Sequence, residues 1–226
     1  MSAVRTYLDL VKWDWVREMK RKDTLISMVL FSAVALMIFS FAIPPESQVG
    51  VAARAGLLWV TLLLAGTIGI DRAFRGEGQS RTLIGLLVAP VGRVTFYYAR
   101  LTSTILLVAI MALVVLVAFC LLYNVSLDGW QMLGLAVTVL GGMIGFAAAG
   151  LTLSAMTRVI HGGEVLLRIL LFPLLIPLFL ASVQLTDRLF DGREIKIQSV
   201  VMIVAFDIIY TCAGQILFEV VMRDVD

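Results

Sequence analysis

The residue whose chemistry is most out of place is Asp207, in the apolar run "SVVMIVAFDIIYTCAGQILFEVV" (199–221). It stands roughly 12 Å into that run if the run is helical, at about 1.5 Å per residue. An acid at that depth is costly and is a functional candidate by default. Two readings stand: an inward-facing carboxyl bonded to Tyr210, Thr211 or a neighbouring helix, or a group that takes up a proton or touches a substrate. Other reactive residues are sparse. His161 is the only histidine and lies with Arg158, Glu164 and Arg168 in a short polar stretch, as a solvated side chain would. Cys120 and Cys212 fall far apart in apolar runs without a CxxC partner, so they read as small hydrophobes. The sequence offers no His/Glu metal cluster, no Ser/His pair and no paired intramembrane carboxylates. It also lacks the GxxxxGK[ST] phosphate loop. The expectation is a protein that is not an enzyme and binds no metal; if it works uphill, its energy must arrive from a partner.

The elements that hold these residues are set by composition. Of 226 residues, 61% are hydrophobic and 15% charged, with a mean hydropathy of +1.00. Soluble domains average about 45–50% apolar and about 25% charged, so the excess belongs in lipid. A spanning helix needs about 20 mostly apolar residues. Six such runs are predicted near Thr24–Ile43, Val51–Ile70, Val94–Tyr123, Trp130–Met156, Gly163–Val183 and Ser199–Val221. Helices satisfy their own backbone in hydrocarbon, so the fold class is an all-α integral membrane protein, with residues 1–226 as one domain. A net charge of +2 gives no reason to expect nucleic acid.

Lysine and arginine orient the spans. One face carries thirteen: Arg5, Lys12, Arg17, Lys20, Arg21, Lys22, Arg72, Arg75, Arg81, Arg93, Arg100, Arg158 and Arg223. The other carries three, Arg188, Arg193 and Lys196, in a loop that also holds Asp187, Asp191 and Glu194. Arg54 and Arg168 sit near span ends. Both termini are therefore expected in the cytoplasm. The lead-in, 1–23, is long and mixed in charge, unlike a signal peptide. Val4, Tyr7, Leu8, Val11, Trp15 and Met19 form an apolar stripe, with Arg5, Asp9, Lys12, Arg17 and Lys20 pointing away. That pattern predicts an amphipathic helix along the membrane surface. Leu10 and Trp13 violate the stripe, which leaves room for a second packing face.

Within the spans, Gly141, Gly145 and Ala149 make a small-residue face that lets helices approach closely, inside one subunit or between two. Pro173 and Pro177, four apart in "FPLLIP", predict a kink on one face of the fifth span.

Between the second and third spans lies "GQSRTLIGLLVAPVGR" (78–93). Leu83, Leu86 and Leu87 share a helical face with Ile84 beside them; Gln79, Ser80 and Arg81 are polar, and Pro90 stops the helix. The expectation is a short amphipathic helix on the cytoplasmic face, within a segment 71–93. This stretch, with "GLLWVTLLLAGTIGIDRAFR" before it and "GMIGFAAAGLTLSAMTRVIHGGEVLLRILLFPLLIPLFLASV" (142–183) later, resembles the heme exporter protein B (CcmB) family. That family is the membrane subunit of the ABC transporter of cytochrome c maturation, and the resemblance covers most of the chain.

The resemblance implies a fold of ABC exporter permease type, in which residues 71–93 carry a coupling helix that docks on the ATPase. The residues implied for coupling are Arg72, Arg75, Arg81, Thr82, Leu83, Ile84, Leu86, Leu87 and Pro90. Thr82, Leu83, Leu86, Leu87, Ala89 and Pro90 match the family pattern, whereas Gln79, Ser80 and Arg81 replace its acidic residues and glycine, and Ile84 a glutamate. It further implies an ABC ATPase subunit that holds ATP, a heme-handling membrane subunit, a small membrane subunit, a second copy of this chain, and the cytoplasmic (inner) membrane. Heme iron takes an axial His, Cys, Met or Tyr, and one histidine cannot make a paired-His site. Heme is therefore expected to be handled by the complex and not bound by this chain. Two alternatives stand: within the same architecture, an ABC exporter of lipid, polysaccharide or drug; and, from another class, a scaffold that couples ATP hydrolysis to release of a heme-loaded chaperone without moving anything.

Overall fold

The computed structural model describes residues 3–20, 23–44, 46–78, 92–125, 127–157 and 163–221. Among the described residues there are seven helices and no strand: α1 (Ala3–Lys20), α2 (Asp23–Ala42), α3 (Gln48–Gly78), α4 (Arg93–Leu122), α5 (Gly129–Thr157), α6 (Gly163–Phe190) and α7 (Ile197–Val221). Six of them, α2 to α7, are long and apolar enough to cross a bilayer. The protein is a multi-pass, all-helical membrane protein.

Two helices run further than hydropathy predicts. α3 does not end near Ile70 but continues to Gly78, so residues 71–78 of the expected coupling segment are the end of a spanning helix. α6 continues past Val183 to Phe190. The reason is the same in both. Loss of apolar character marks the edge of the hydrocarbon, whereas a helix ends only where its backbone is given another partner. In α6 that partner arrives at Gly192, which takes a left-handed φ of 63°. Arg193 N–H then donates to Arg188 O at 2.8 Å and Gly192 N–H to Leu189 O at 3.3 Å, a Schellman cap. Asn124, at φ 45°, ends α4 the same way, with Val125 N–H on Cys120 O at 3.1 Å.

α5 packs against α4, α6 and α7 and touches α3; α2 lies on α3 and α4, and α1 lies on α4. The buried core runs through Trp59 and Leu62 of α3, Phe119 of α4, Met143 and Phe146 of α5, and Leu171, Leu175 and Leu178 of α6. α2 and α7 flank this core. They turn Leu30, Val34, Ile38 and Phe41, and Val201, Val204, Ile208 and Ile216, outward. Water would not tolerate apolar faces of that extent, and lipid covers them.

Candidate functional site

At one end of the bundle α3 leaves the span as a helix and α4 begins at Arg93, after Gly92. Arg72 and Arg75 fall on the terminal turns of α3, with side chains outside those described. Arg81, Thr82, Leu83, Ile84, Leu86, Leu87 and Pro90 lie outside the described residues, as do Arg158 and His161. What the structure does place at this end is α1, and its packing corrects the predicted stripe. Tyr7, Leu10, Val11, Asp14 and Trp15 are half-buried, while Leu8 is 58% exposed. The packed face is rotated toward Leu10 because α1 lies on protein as well as lipid. Two polar contacts fix it there. Tyr7 Oη lies 2.7 Å from Thr102 Oγ1. Asp14 accepts from Arg100 at 3.2 Å, with both side chains largely buried. Nothing in the local sequence of either residue announces that pair.

In the middle of the membrane, α5 presents small residues to more than one neighbour. A Cβ on Gly141 would meet Ile203 of α7 at 3.2 Å. One on Gly145 would collide with Asp207 Oδ1, Leu178 and Phe206. Ala149 is fully buried. The sequence reading missed Gly142, where a Cβ would run into Trp59 and Ser182, and Gly150, which lies against Ile70. Trp59 itself was also missed. It is 1% exposed, donates from Nε1 to Thr186 Oγ1 at 2.9 Å and meets Phe179 edge-on at 5.4 Å. A tryptophan several turns inside a span was the available signal, because a buried indole N–H needs an acceptor.

Asp207 Oδ1 is buried and makes no hydrogen bond among the described residues. The carbonyls of Tyr210 and Thr211 instead accept from Thr152 at 3.3 Å and Tyr97 at 3.1 Å. Pro173 and Pro177 sit inside a helix that is unbroken from Gly163 to Phe190. Leu63, Phe172, Pro173, Leu175, Ile176 and Phe179 line a groove of about 370 Å³ between α3 and α6.

The opposite end is closed by charge. Arg54, at the start of α3, lies 3.7 Å from Asp191 and stacks 5.6 Å above the Phe190 ring. Arg193 bridges Asp187 at 3.0 Å and Asp191, whose hydrogen bond holds the Arg193 guanidinium above its already high pKa. Arg54 therefore belongs to the same end as the α6–α7 loop.

A family model described as CcmB protein matches residues 5–216. Three curated relatives, each named heme exporter protein B, are similar over most of their length. The Haemophilus influenzae protein is 22% identical over 174 residues, covering 77% of this chain and 78% of its own. The Pseudomonas aeruginosa protein is 24% identical over 161 residues, 71% of each chain. The Rhodobacter capsulatus protein is 22% identical over 167 residues, 74% of this chain and 76% of its own.

Proposed function

Because the chain belongs to the CcmB family, we propose that it is the permease subunit of an ABC transporter that exports heme across the cytoplasmic membrane for cytochrome c maturation. The single observation that carries this reading is the family match over residues 5–216, which takes in six spanning helices. The whole chain acts as one permease domain, pairs with a second copy of itself, and works beside a heme-handling membrane subunit and a small membrane subunit. ATP is bound and hydrolysed by a separate ATPase. The segment following Gly78 docks on that ATPase, with Leu83, Ile84 and Leu87 in its groove and Arg81 at the rim, and Arg72 and Arg75 of α3 belong to the same coupling segment. The helical continuation of α3 to Gly78 supports this role. A rigid lever fused to a span passes closure of the nucleotide site to the bundle as a rigid-body movement.

Mild-detergent pull-down of the full chain, with identification of what comes with it, tests the assembly. An ATPase should co-purify with the wild type and be lost from Leu83→Asp combined with Leu87→Asp. An intact complex in that variant sinks the docking assignment. A deletion strain should lose its c-type cytochromes; unchanged cytochrome content would reassign the permease to another cargo.

A further inference from the structure

Asp207 rests its Oδ1 against Gly145 of α5 and takes no part in the proposed docking, and its surroundings are not symmetric. It lies about 15 Å along α7 from Ile197, at 1.5 Å per residue. Toward the Arg54 end, the side chains next to it on its seam with α5 and α6 are apolar: Ile203 faces Gly141, and Phe206 and Leu178 close on Gly145. The buried hydroxyls of Thr138 and Ser199 come about two turns further on, and Thr138 donates to the Gly134 carbonyl of its own helix. Toward the α1 end, the same seam becomes a ladder of hydroxyl and carbonyl groups. Thr211, one helical turn beyond Asp207, accepts from Tyr97 through its carbonyl. Thr152 is bonded to the Tyr210 carbonyl, and the Tyr97 and Thr152 hydroxyls both crowd Gly214. Beyond them Tyr98 donates to Gln215 Oε1 at 2.8 Å.

Few charges compete for this carboxyl. The titratable groups nearest it on its own helix are Tyr210 and Cys212, and on α4 they are Tyr97, Tyr98 and Arg100, the last paired with Asp14. α5 contains no titratable residue, and α6 has none from Ile169 to Thr186. A carboxylate whose buried Oδ1 has no donor among the described residues is a poor species in such a place. The neutral acid is a tolerable one.

We propose that Asp207 is a proton-binding site of the membrane domain, loaded and emptied from the α1 end through Tyr98, Gln215, Tyr97 and Thr152. The step is one proton added to one carboxylate oxygen, giving a neutral carboxylic acid, with no other bond changed. It requires only that α1 and the end of α7 lie together, whichever compartment they face. It therefore stands or falls separately from the transport reading.

Dicyclohexylcarbodiimide reports such an acid directly. The acid proton passes to a carbodiimide nitrogen, the carboxylate oxygen adds to the central carbon, and the O-acylisourea rearranges to a stable N-acylurea. The experiment uses the full chain in sealed native membrane vesicles, with a protease-cleavable C-terminal tag to identify the α1 side. Adduct on the peptide containing Asp207 is followed by mass spectrometry. Above its midpoint, each unit of α1-side pH should lower the labelling rate about tenfold. The pH on the opposite side should leave the rate unchanged while the gradient is held. Asp207→Asn, which keeps the shape of the side chain, should give no adduct at normal yield and size-exclusion profile. No adduct on the wild type between about pH 5 and about pH 9, or a rate that follows the opposite side or neither side, overturns the proposal.

Discussion

Arg100 is a charge on a helix that enters a bilayer, and Asp14 of α1 pairs with it there. Removing one partner of a buried pair costs about 3 kcal/mol. Asp14→Asn should therefore lower the melting temperature in detergent clearly, while Asp14→Asn with Arg100→Met should recover most of the loss. Equal loss in both would show that the pair does not hold α1. A smaller effect is expected where Trp59 donates to Thr186. Trp59→Phe removes one neutral hydrogen bond, worth about 1 kcal/mol. Thr186→Val keeps the indole N–H buried without its acceptor, so it should cost more than Trp59→Phe loses by that bond alone. Tryptophan fluorescence on heating would rank the second, and circular dichroism the first. Neither pair was legible in the sequence, because the partners stand 86 and 127 residues apart. What was legible was the need, a cation and an indole each requiring a partner.

At the scale of the helix, glycine separates packing from mere tolerance. Gly56 of α3 has nothing within 4 Å of where a Cβ would stand, whereas Gly142 of α5 meets Trp59 and Ser182 at once. Gly56→Ala should leave thermal stability unchanged or raise it by up to about 1 kcal/mol through helix propensity. Gly142→Ala should lower it by about 1–3 kcal/mol through overpacking. If both variants melt alike, α5 does not lie where it is described. The run Gly141, Gly145 and Ala149 could be read from spacing, yet Gly142 and Gly150 could not. A spanning helix is apolar all round, so its sequence carries little trace of which face meets protein. The same limit explains the helix ends. Hydropathy located the bilayer edge near Ile70 and Val183, while the caps and polar extensions of α3 and α6 lay beyond what it measures.

For the whole molecule, the distribution of Lys and Arg gives an orientation that labelling can check. In a background with Cys120→Ala and Cys212→Ala, an impermeant maleimide added to intact cells should reach Glu46→Cys and Lys196→Cys. It should reach Gly92→Cys only after the membrane is opened; all three residues are exposed. The reverse pattern would put α1 and the proposed docking segment on the wrong side for an ATPase. The number of spans, the family resemblance, the amphipathic lead-in and the basic asymmetry all followed from the order of residues alone. The spans, the lead-in and the asymmetry depend on transfer between water and lipid, which each segment undergoes by itself, and the resemblance on the residues matched. The rotation of α1 onto α4, the several packing faces of α5 and the hydroxyl and carbonyl contacts that begin one turn beyond Asp207 were decided only by the assembled bundle. Each depends on close contact between helices distant in the chain, and a uniformly apolar surface gives no advance notice of its neighbour.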